Sequence, residues 1–294
     1  MTNFTSILDW IRYGTSLLRQ SAIYYGHGTD NGLDEATALV LGSLHLPYNL
    51  DSSYFSARLS EAEKALLAEN FRRRVDERIP VAYLTKSCYF GGLEFYVDER
   101  VLIPRSPLAE FLEKNPDRFE QILDLCCGSG CLGLLAKYHN PAAAVVMADL
   151  SSDALAVAEI NRRRFQLEEE VEIVQSNLFA ALAGQHFDLI LCNPPYVAEE
   201  ERDQLPPEYQ KEPELALFAG ADGLDLVRKI LFQASDYLTE NGLLLLEVGA
   251  SWPNLALAFP NCDFDWLEFE RGGVGVCAIG ADELAAWRLA GLLD

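Results

Sequence analysis

The sequence predicts an α/β protein: a doubly wound, mostly parallel, seven-stranded sheet preceded by a small helical domain and a β-hairpin linker. Three observations carry this expectation. From residue 121 onward, short apolar runs alternate with helix-length stretches, as repeated β-α units do. The first run passes into a glycine-rich turn, Gly128-Ser129-Gly130, of the kind that opens a ligand crevice in open α/β sheets. The first 78 residues instead carry apolar side chains at helical spacing.

Taking the elements in order, Ile7, Leu8, Ile11, Leu17 and Leu18 make one helical stripe, residues 34–45 a second apolar segment and 60–78 a third. Ser60, with Glu63 three positions on, spells a capping box for the third helix. Between the first two helices the glycines and short polar residues of 24–32 mark a structured loop. His27 within it has no second ligand at useful spacing and reads as a loop histidine. From 79 to 104 the period changes to two: residues 81–84, 88–90 and 93–97 are strand-like, and Gly91-Gly92 is a hairpin signal. A short helix is expected over 107–114. Strands are then expected over 121–126, 144–149, 171–175, 187–192, 243–248, 264–269 and 274–279, with helices over 130–138, 153–165, 224–238 and 252–259. Glu270-Arg271-Gly272-Gly273 is too short for a parallel crossover, so the last two strands must be antiparallel. The tail, 281–294, reads as a short helix. The chain thus divides into a helical, substrate-recognising domain (1–78), a hairpin linker (79–106) and a sheet domain (107–294).

A chain of 294 residues with 50% hydrophobic content can bury a full core in one large or two modest domains. No run approaches the ~18–20 apolar residues that span a bilayer, so no membrane role is expected. Met1-Thr2-Asn3-Phe4-Thr5 lacks a basic start followed by an apolar run. The seven cysteines form no disulfide-like framework, and a cytoplasmic location is the expectation. A formal net charge of −22 repels phosphate backbones and attracts basic partners. Nucleic acid is therefore a poor primary substrate, and a Lys/Arg-rich protein, such as a ribosomal protein, a better one.

The strongest site signal is Asn193-Pro194-Pro195-Tyr196, which follows the apolar run 187–192 and so falls at the carboxyl edge of the sheet. Such a loop suits alkylation of a weak nitrogen nucleophile. An amide nitrogen shares its lone pair with its carbonyl, the delocalisation behind the ~18–20 kcal/mol peptide rotation barrier, and attacks poorly. The Asn193 side-chain oxygen and the Pro194 carbonyl can accept its two N–H bonds and aim the lone pair. Pro194 suits this role because its φ is fixed, and Tyr196 can cover the planar group. A proline turn with Tyr196 as ordinary core is the plainer alternative. Upstream, Gly128, Gly130 and Gly133 spell G-x-G-x-x-G, and Asp149, 19 residues past Gly130, is placed to accept ribose hydroxyls. The motif alone does not separate a nicotinamide dinucleotide from other adenosine ligands. Asp124, a carboxylate just before the glycines, favours a ligand bearing an ammonium and a sulfonium, as S-adenosylmethionine does. Asn177 and Leu178 fit beside an adenine, with an N-cap for a following helix as the competing role of Asn177. Cys126, Cys127 and Cys131 do not match zinc spacing, and no metal site is expected.

Taken together, Asp124 with Gly128 and Gly130, Asp149, and the Asn193 to Tyr196 loop resemble the class I S-adenosylmethionine-dependent methyltransferases that modify protein glutamine amides. Within these, segments 25–31, 78–85, 95–107, 212–217 and 222–227 resemble the PrmB branch, which acts on the third large-subunit ribosomal protein. The likeness covers nearly the whole chain. It implies the Rossmann-like class I methyltransferase fold and S-adenosyl-L-methionine as cofactor, held by Asp124, Cys126, Gly128, Gly130, Asp149, Asn177, Leu178 and Asn193. It further implies catalysis by Asn193, Pro194 and Tyr196 and a basic ribosomal protein as substrate, with no direct DNA substrate. Arg105 either closes over the cofactor or remains a surface cation. The chain departs from the pattern at Cys127, where Thr is usual, at Asn177, where Asp is usual, and at Val274, where Asp is commoner. The exchange at 177 replaces a charged acceptor with a neutral one. Rival readings are a methyltransferase of peptide release factors, an adenine-amine DNA methyltransferase, which the charge opposes, a nicotinamide dehydrogenase, and a non-catalytic assembly factor.

Overall fold

The computed structural model describes residues 4–293. Met1, Thr2, Asn3 and Asp294 lie outside the described residues, and with them part of the amino-terminal segment read above for an export signal. Among the described residues no helix is long and apolar enough to cross a membrane.

Three helices open the chain, α1 (Ile7–Gln20), α2 (Gly32–Ser43) and α3 (Glu61–Asp76). Each begins on a side-chain cap. Ser6 and Ser60 form capping boxes with Asp9 and Glu63, and Asn31 accepts from the N–H groups of Leu33 and Asp34. Their apolar faces enclose Trp10, Leu18, Leu39, Leu67 and Phe71.

The linker differs from expectation where it starts. Residues 81–84, read as strand-like, form a short helix, α4 (Val81–Thr85). Pro80 enters it with a preset φ and Lys86 ends it in the left-handed region. A run this short does not distinguish one helical turn from a strand by its pattern. The hairpin follows as expected, β1 (Cys88–Phe90) pairing antiparallel with β2 (Leu93–Phe95) across Gly91 and Gly92, both at positive φ.

After α5 (Leu108–Lys114) come β3 (Gln121–Leu125), α6 (Cys131–His139), β4 (Ala144–Asp149), α7 (Ser152–Arg164), β5 (Val171–Gln175) and β6 (Phe187–Cys192). The chain then continues through α8 (Asp225–Ala234), β7 (Leu238–Glu247), α9 (Trp252–Ala258), β8 (Asp265–Trp266), β9 (Val276–Gly280) and α10 (Ala281–Leu289). The seven strands order as β5-β4-β3-β6-β7-β9-β8. β9 runs antiparallel to both its neighbours, and the remaining pairs are parallel. Two boundaries moved. β7 starts earlier than expected because Leu238 already pairs with Phe187 ahead of a bulge, which shortens α8. β8 keeps only two residues of the expected run.

Helices cover both faces of the sheet. Val227, Ile230 and Leu284 pack on Ile190 and Leu246, while Leu112, Leu132 and Leu135 pack on Ile122, Leu189 and Leu245. From β3 the chain winds outward through β4 and β5, then returns to β6 on the other side of β3. Strand order therefore reverses between β3 and β6, which opens a crevice at their carboxyl ends.

Candidate active site

Register brings the site residues to one edge. Leu125 of β3 pairs with Cys192 of β6, and Ala148 of β4 with Leu125, so Cys126, Asp149 and Asn193 leave the sheet side by side. A cavity of about 320 Å³ opens over them, at the small end of the ~300–1,000 Å³ common for ligand sites. Its walls include Cys126, Gly128 and Ser129 of the turn, then Asp149, Asn177, Leu178, Asn193 and Pro195. Arg105 and Ser106 of the linker, and Pro213, Leu215 and Ala216 beyond the Asn193 loop, complete it.

The backbone explains why this turn needs glycine. Gly128 and Gly130 sit at φ 54° and 76°, and a Cβ on Gly130 would stand 2.8 Å from the Met147 sulfur. Cys126 and Leu178 hold positive φ, 62° and 49°, although both carry side chains. Such conformations cost of order 1–3 kcal/mol each and concentrate at ligand clamps.

The carboxylate of Asp149 accepts from the N–H of Gly128 and of Ser151, both at 2.9 Å, one on each oxygen. These bonds aim it at the cavity and leave lone pairs for ligand hydroxyls. Burial raises its pKa, with the Ser151 and Gly128 bonds pulling the other way. Asp124 lies elsewhere. Its side chain is buried behind the turn, accepts from the Gly133 N–H at 2.7 Å, and is not among the residues lining the cavity. Burial pushes its carboxyl up to about 7, against the Gly133 bond and aided by the Asp149 charge.

Gly130, Pro194 and Tyr196 also stand outside the cavity lining. Tyr196 is half-buried behind Asn193 and closely held: the Ser251 hydroxyl donates to its carbonyl at 2.7 Å. A Cβ on Gly223 would lie 2.3 Å from that carbonyl oxygen, and one on Gly249 2.7 Å from the ring. Among the described residues no helix lies between β5 and β6, so Asn177 has none to cap, and it stands exposed at the cavity rim. Cys127 and Cys131 are buried, which pushes both thiols up.

Four contributors escaped the sequence reading. Glu247 ends β7 one residue past the Leu246–Cys192 pair, accepts from the Ser106 hydroxyl, and is pushed up to about 7 by burial, against Ser106 and Arg105. A carboxylate closing an apolar run was its available signal, as for Asp149. Asn161 of α7 bonds both backbone groups of Tyr96 and the Ser129 carbonyl, tying the linker to the glycine turn. Nothing in its polar helical surroundings marks it. The other two are Glu208 and Glu212.

These two lie in a strap, residues 198–217, that leaves at Val197 and returns to pair with it. The Val197 N–H donates to the Leu217 carbonyl and the Ala219 N–H to the Val197 carbonyl. Glu208 accepts from the Tyr24 N–H and Arg74, each at 3.0 Å, and from Arg78 at 3.5 Å. Glu212 accepts from the Ile103 N–H at 2.9 Å and from both Arg105 terminal nitrogens at 2.6 and 2.7 Å. His27 Nε2 lies 3.4 Å from Glu212, within ion-pair reach but without hydrogen-bond geometry. His27 is indeed in a loop, yet its side chain is only 6% exposed. Arg105 is no free surface cation, because Glu212 fixes its guanidinium and the Tyr209 ring lies 5.0 Å beneath it.

A family model described as "Methyltransferase small domain" matches residues 104–206. The chain is 48% identical over 287 residues to a ribosomal protein uL3 glutamine methyltransferase of Xanthomonas campestris pv. campestris, covering 96% of this chain and 93% of the relative. A protein of the same name from Xylella fastidiosa is 47% identical, with 96% and 92% covered. Among solved structures, a methyltransferase from Pyrococcus furiosus is 18% identical with a TM-score of 0.48, over 65% of this chain and 89% of that one.

Proposed function

The chain belongs to the ribosomal protein uL3 glutamine methyltransferase family, and from that premise we propose that it transfers a methyl group from S-adenosyl-L-methionine to the side-chain amide nitrogen of a glutamine in uL3. The observation that carries this reading is the place of Asn193: at the sheet's reversal point, on the wall of the same cavity as the glycine turn and Asp149. The residues fit such a cofactor. Open space surrounds Gly128 where a Cβ would project, and the Asp149 carboxylate is hydrogen-bonded in place beside it. Asp149 would accept the ribose hydroxyls, Asn177 and Leu178 would flank the adenine, and Cys126 and Gly128 would meet the ligand through backbone. Asp124 would act indirectly, from behind the turn, by holding the start of α6 at Gly133.

When bound, the cofactor supplies an electrophilic methyl group on sulfonium. The chain's own part is to prepare a poor nucleophile. Asn193 Oδ1 and the Pro194 carbonyl accept the two N–H bonds of the glutamine amide, so its lone pair points at the cavity. Tyr196 stiffens the loop from behind through its contacts with Gly249 and Ser251. Positioning supplies most of the rate. No dedicated base is needed, because an N-methylated amide sheds its extra proton readily. The acidic surface would draw in a basic substrate, and a ribosomal substrate supports a cytoplasmic location.

Asn193→Ala is expected to lower turnover by about 10²–10³, the cost of losing one preorganised polar partner, with cofactor affinity retained. Radiolabel transfer to purified uL3 measures the first and calorimetry the second. Normal methylation by the variant removes Asn193 from the role. Offering uL3 and a peptide release factor in parallel tests the substrate, and label appearing on the release factor alone overturns it.

A further inference from the structure

The strap over the cofactor cavity has almost no apolar anchor. From Glu199 to Ala216 the only fully buried residues are Glu208 and Glu212. Leu215 lines the cavity yet is 55% exposed. A segment normally held by packing is held here by two carboxylates, and a buried carboxylate is stable only while its partners stay in place. The partners of Glu212 come from two other regions: Ile103 and Arg105 from the linker, and His27 from the loop between α1 and α2. Pro213, next in the chain, and Arg105 itself both form cavity wall. His27 does not line that cavity.

We propose that Glu212 is a positioning residue of the cofactor site, clamping the 213–216 wall and Arg105 over the cavity and, through His27, making cofactor affinity depend on the helical domain. This rests on the cofactor reading above. Displacing His27 from the helical side loosens Glu212, and loosening Glu212 frees two walls at once. By linkage, cofactor binding in turn stiffens the seat of His27.

The test is calorimetric titration of the full-length enzyme with S-adenosylmethionine. Glu212→Gln keeps the volume and removes the charge, and is expected to raise Kd by about tenfold or more. His27→Ala is expected to raise Kd by about threefold or more although His27 does not line the site. The double variant should bind no more weakly than Glu212→Gln alone, since both changes break one linkage. A role confined to stability would lower the melting temperature and leave Kd unchanged below it. Folded single variants whose Kd stays within about twofold of wild type, or effects that simply add, overturn the proposal. If Glu212→Gln does not fold, His27→Ala decides alone. A wild type with no affinity for the cofactor overturns the parent reading and this one together, whereas tight wild-type binding with unaffected variants overturns this one only.

Discussion

Two carboxyl groups buried near the sheet's carboxyl edge, Asp124 and Glu247, hold protons at a pH where the unfolded chain has released them. Both are pushed up to about 7 by burial, from 3.8 and 4.5 respectively. Below the unfolded values both states are protonated and nothing is gained or lost. Between there and 7 the folded state binds more protons, so stability falls as pH rises, and the loss is complete above about 7. Each group contributes on the order of 3–4 kcal/mol to that decline. Denaturant unfolding of the cofactor-free protein should therefore show lower stability at pH 8 than at pH 5.5, and Asp124→Asn or Glu247→Gln should each flatten the slope. An unaltered slope in both variants contradicts the assignment. Asp149 gives a second prediction at this scale. Losing its charge-assisted bonds in Asp149→Ala should weaken cofactor binding on the order of 10–100-fold, and unchanged calorimetric affinity would exclude it from the site. The places of Asn193 and Asp149 on the cavity wall were legible because each closes an apolar strand, and position at a strand end reads locally. The inward turn of Asp124 was also implicit, since side chains alternate along a strand and Leu123 and Leu125 occupy the opposite face. The partnership of Glu212 with His27 was not legible, because it joins residues that no local pattern relates.

Secondary elements show the same division between local and distant causes. The hairpin at Gly91-Gly92, the capping boxes and the antiparallel β8–β9 pair follow from adjacent residues. α4 did not, because four apolar residues after a proline suit either state until packing decides; Ala82 and Tyr83 are buried against Val97 and Ile103. The Asn193 loop is shaped by glycines distant in sequence. Gly223 sits at φ +78° with the Tyr196 carbonyl oxygen 2.3 Å from where a Cβ would be, and backbone cannot step aside as a flexible side chain can. Gly223→Ala is expected to destabilise by about 1–3 kcal/mol and to lower methyl transfer more than cofactor affinity. Gly184, also at positive φ but with open space around it, provides the control: Gly184→Ala should carry the conformational cost without the loss of transfer. Unfolding curves and the transfer assay read both quantities, and equal activity losses in the two variants would contradict the steric account.

Across the whole molecule, a charge of −22 would make encounter with the basic substrate proposed above an electrostatic matter. The apparent KM for uL3 should climb as ionic strength passes from low to physiological values and beyond, where charges more than ~8–10 Å apart are screened. Cofactor affinity, set inside a cavity, should shift far less, and a KM indifferent to salt would argue against steering. Glu208 adds a consequence for the chain as a set of exchangeable parts. Its wholly buried carboxylate belongs to the strap, but Arg74 belongs to α3, Arg78 follows that helix, and Tyr24 lies in the loop between α1 and α2. Grafting a different helical domain onto the same sheet domain would strand that anion in a dry pocket, a penalty of about 3–5 kcal/mol. Any exchange of the helical domain must therefore bring along a replacement guanidinium facing Glu208, which ties the turnover of that half of the chain to upkeep of one charged seam.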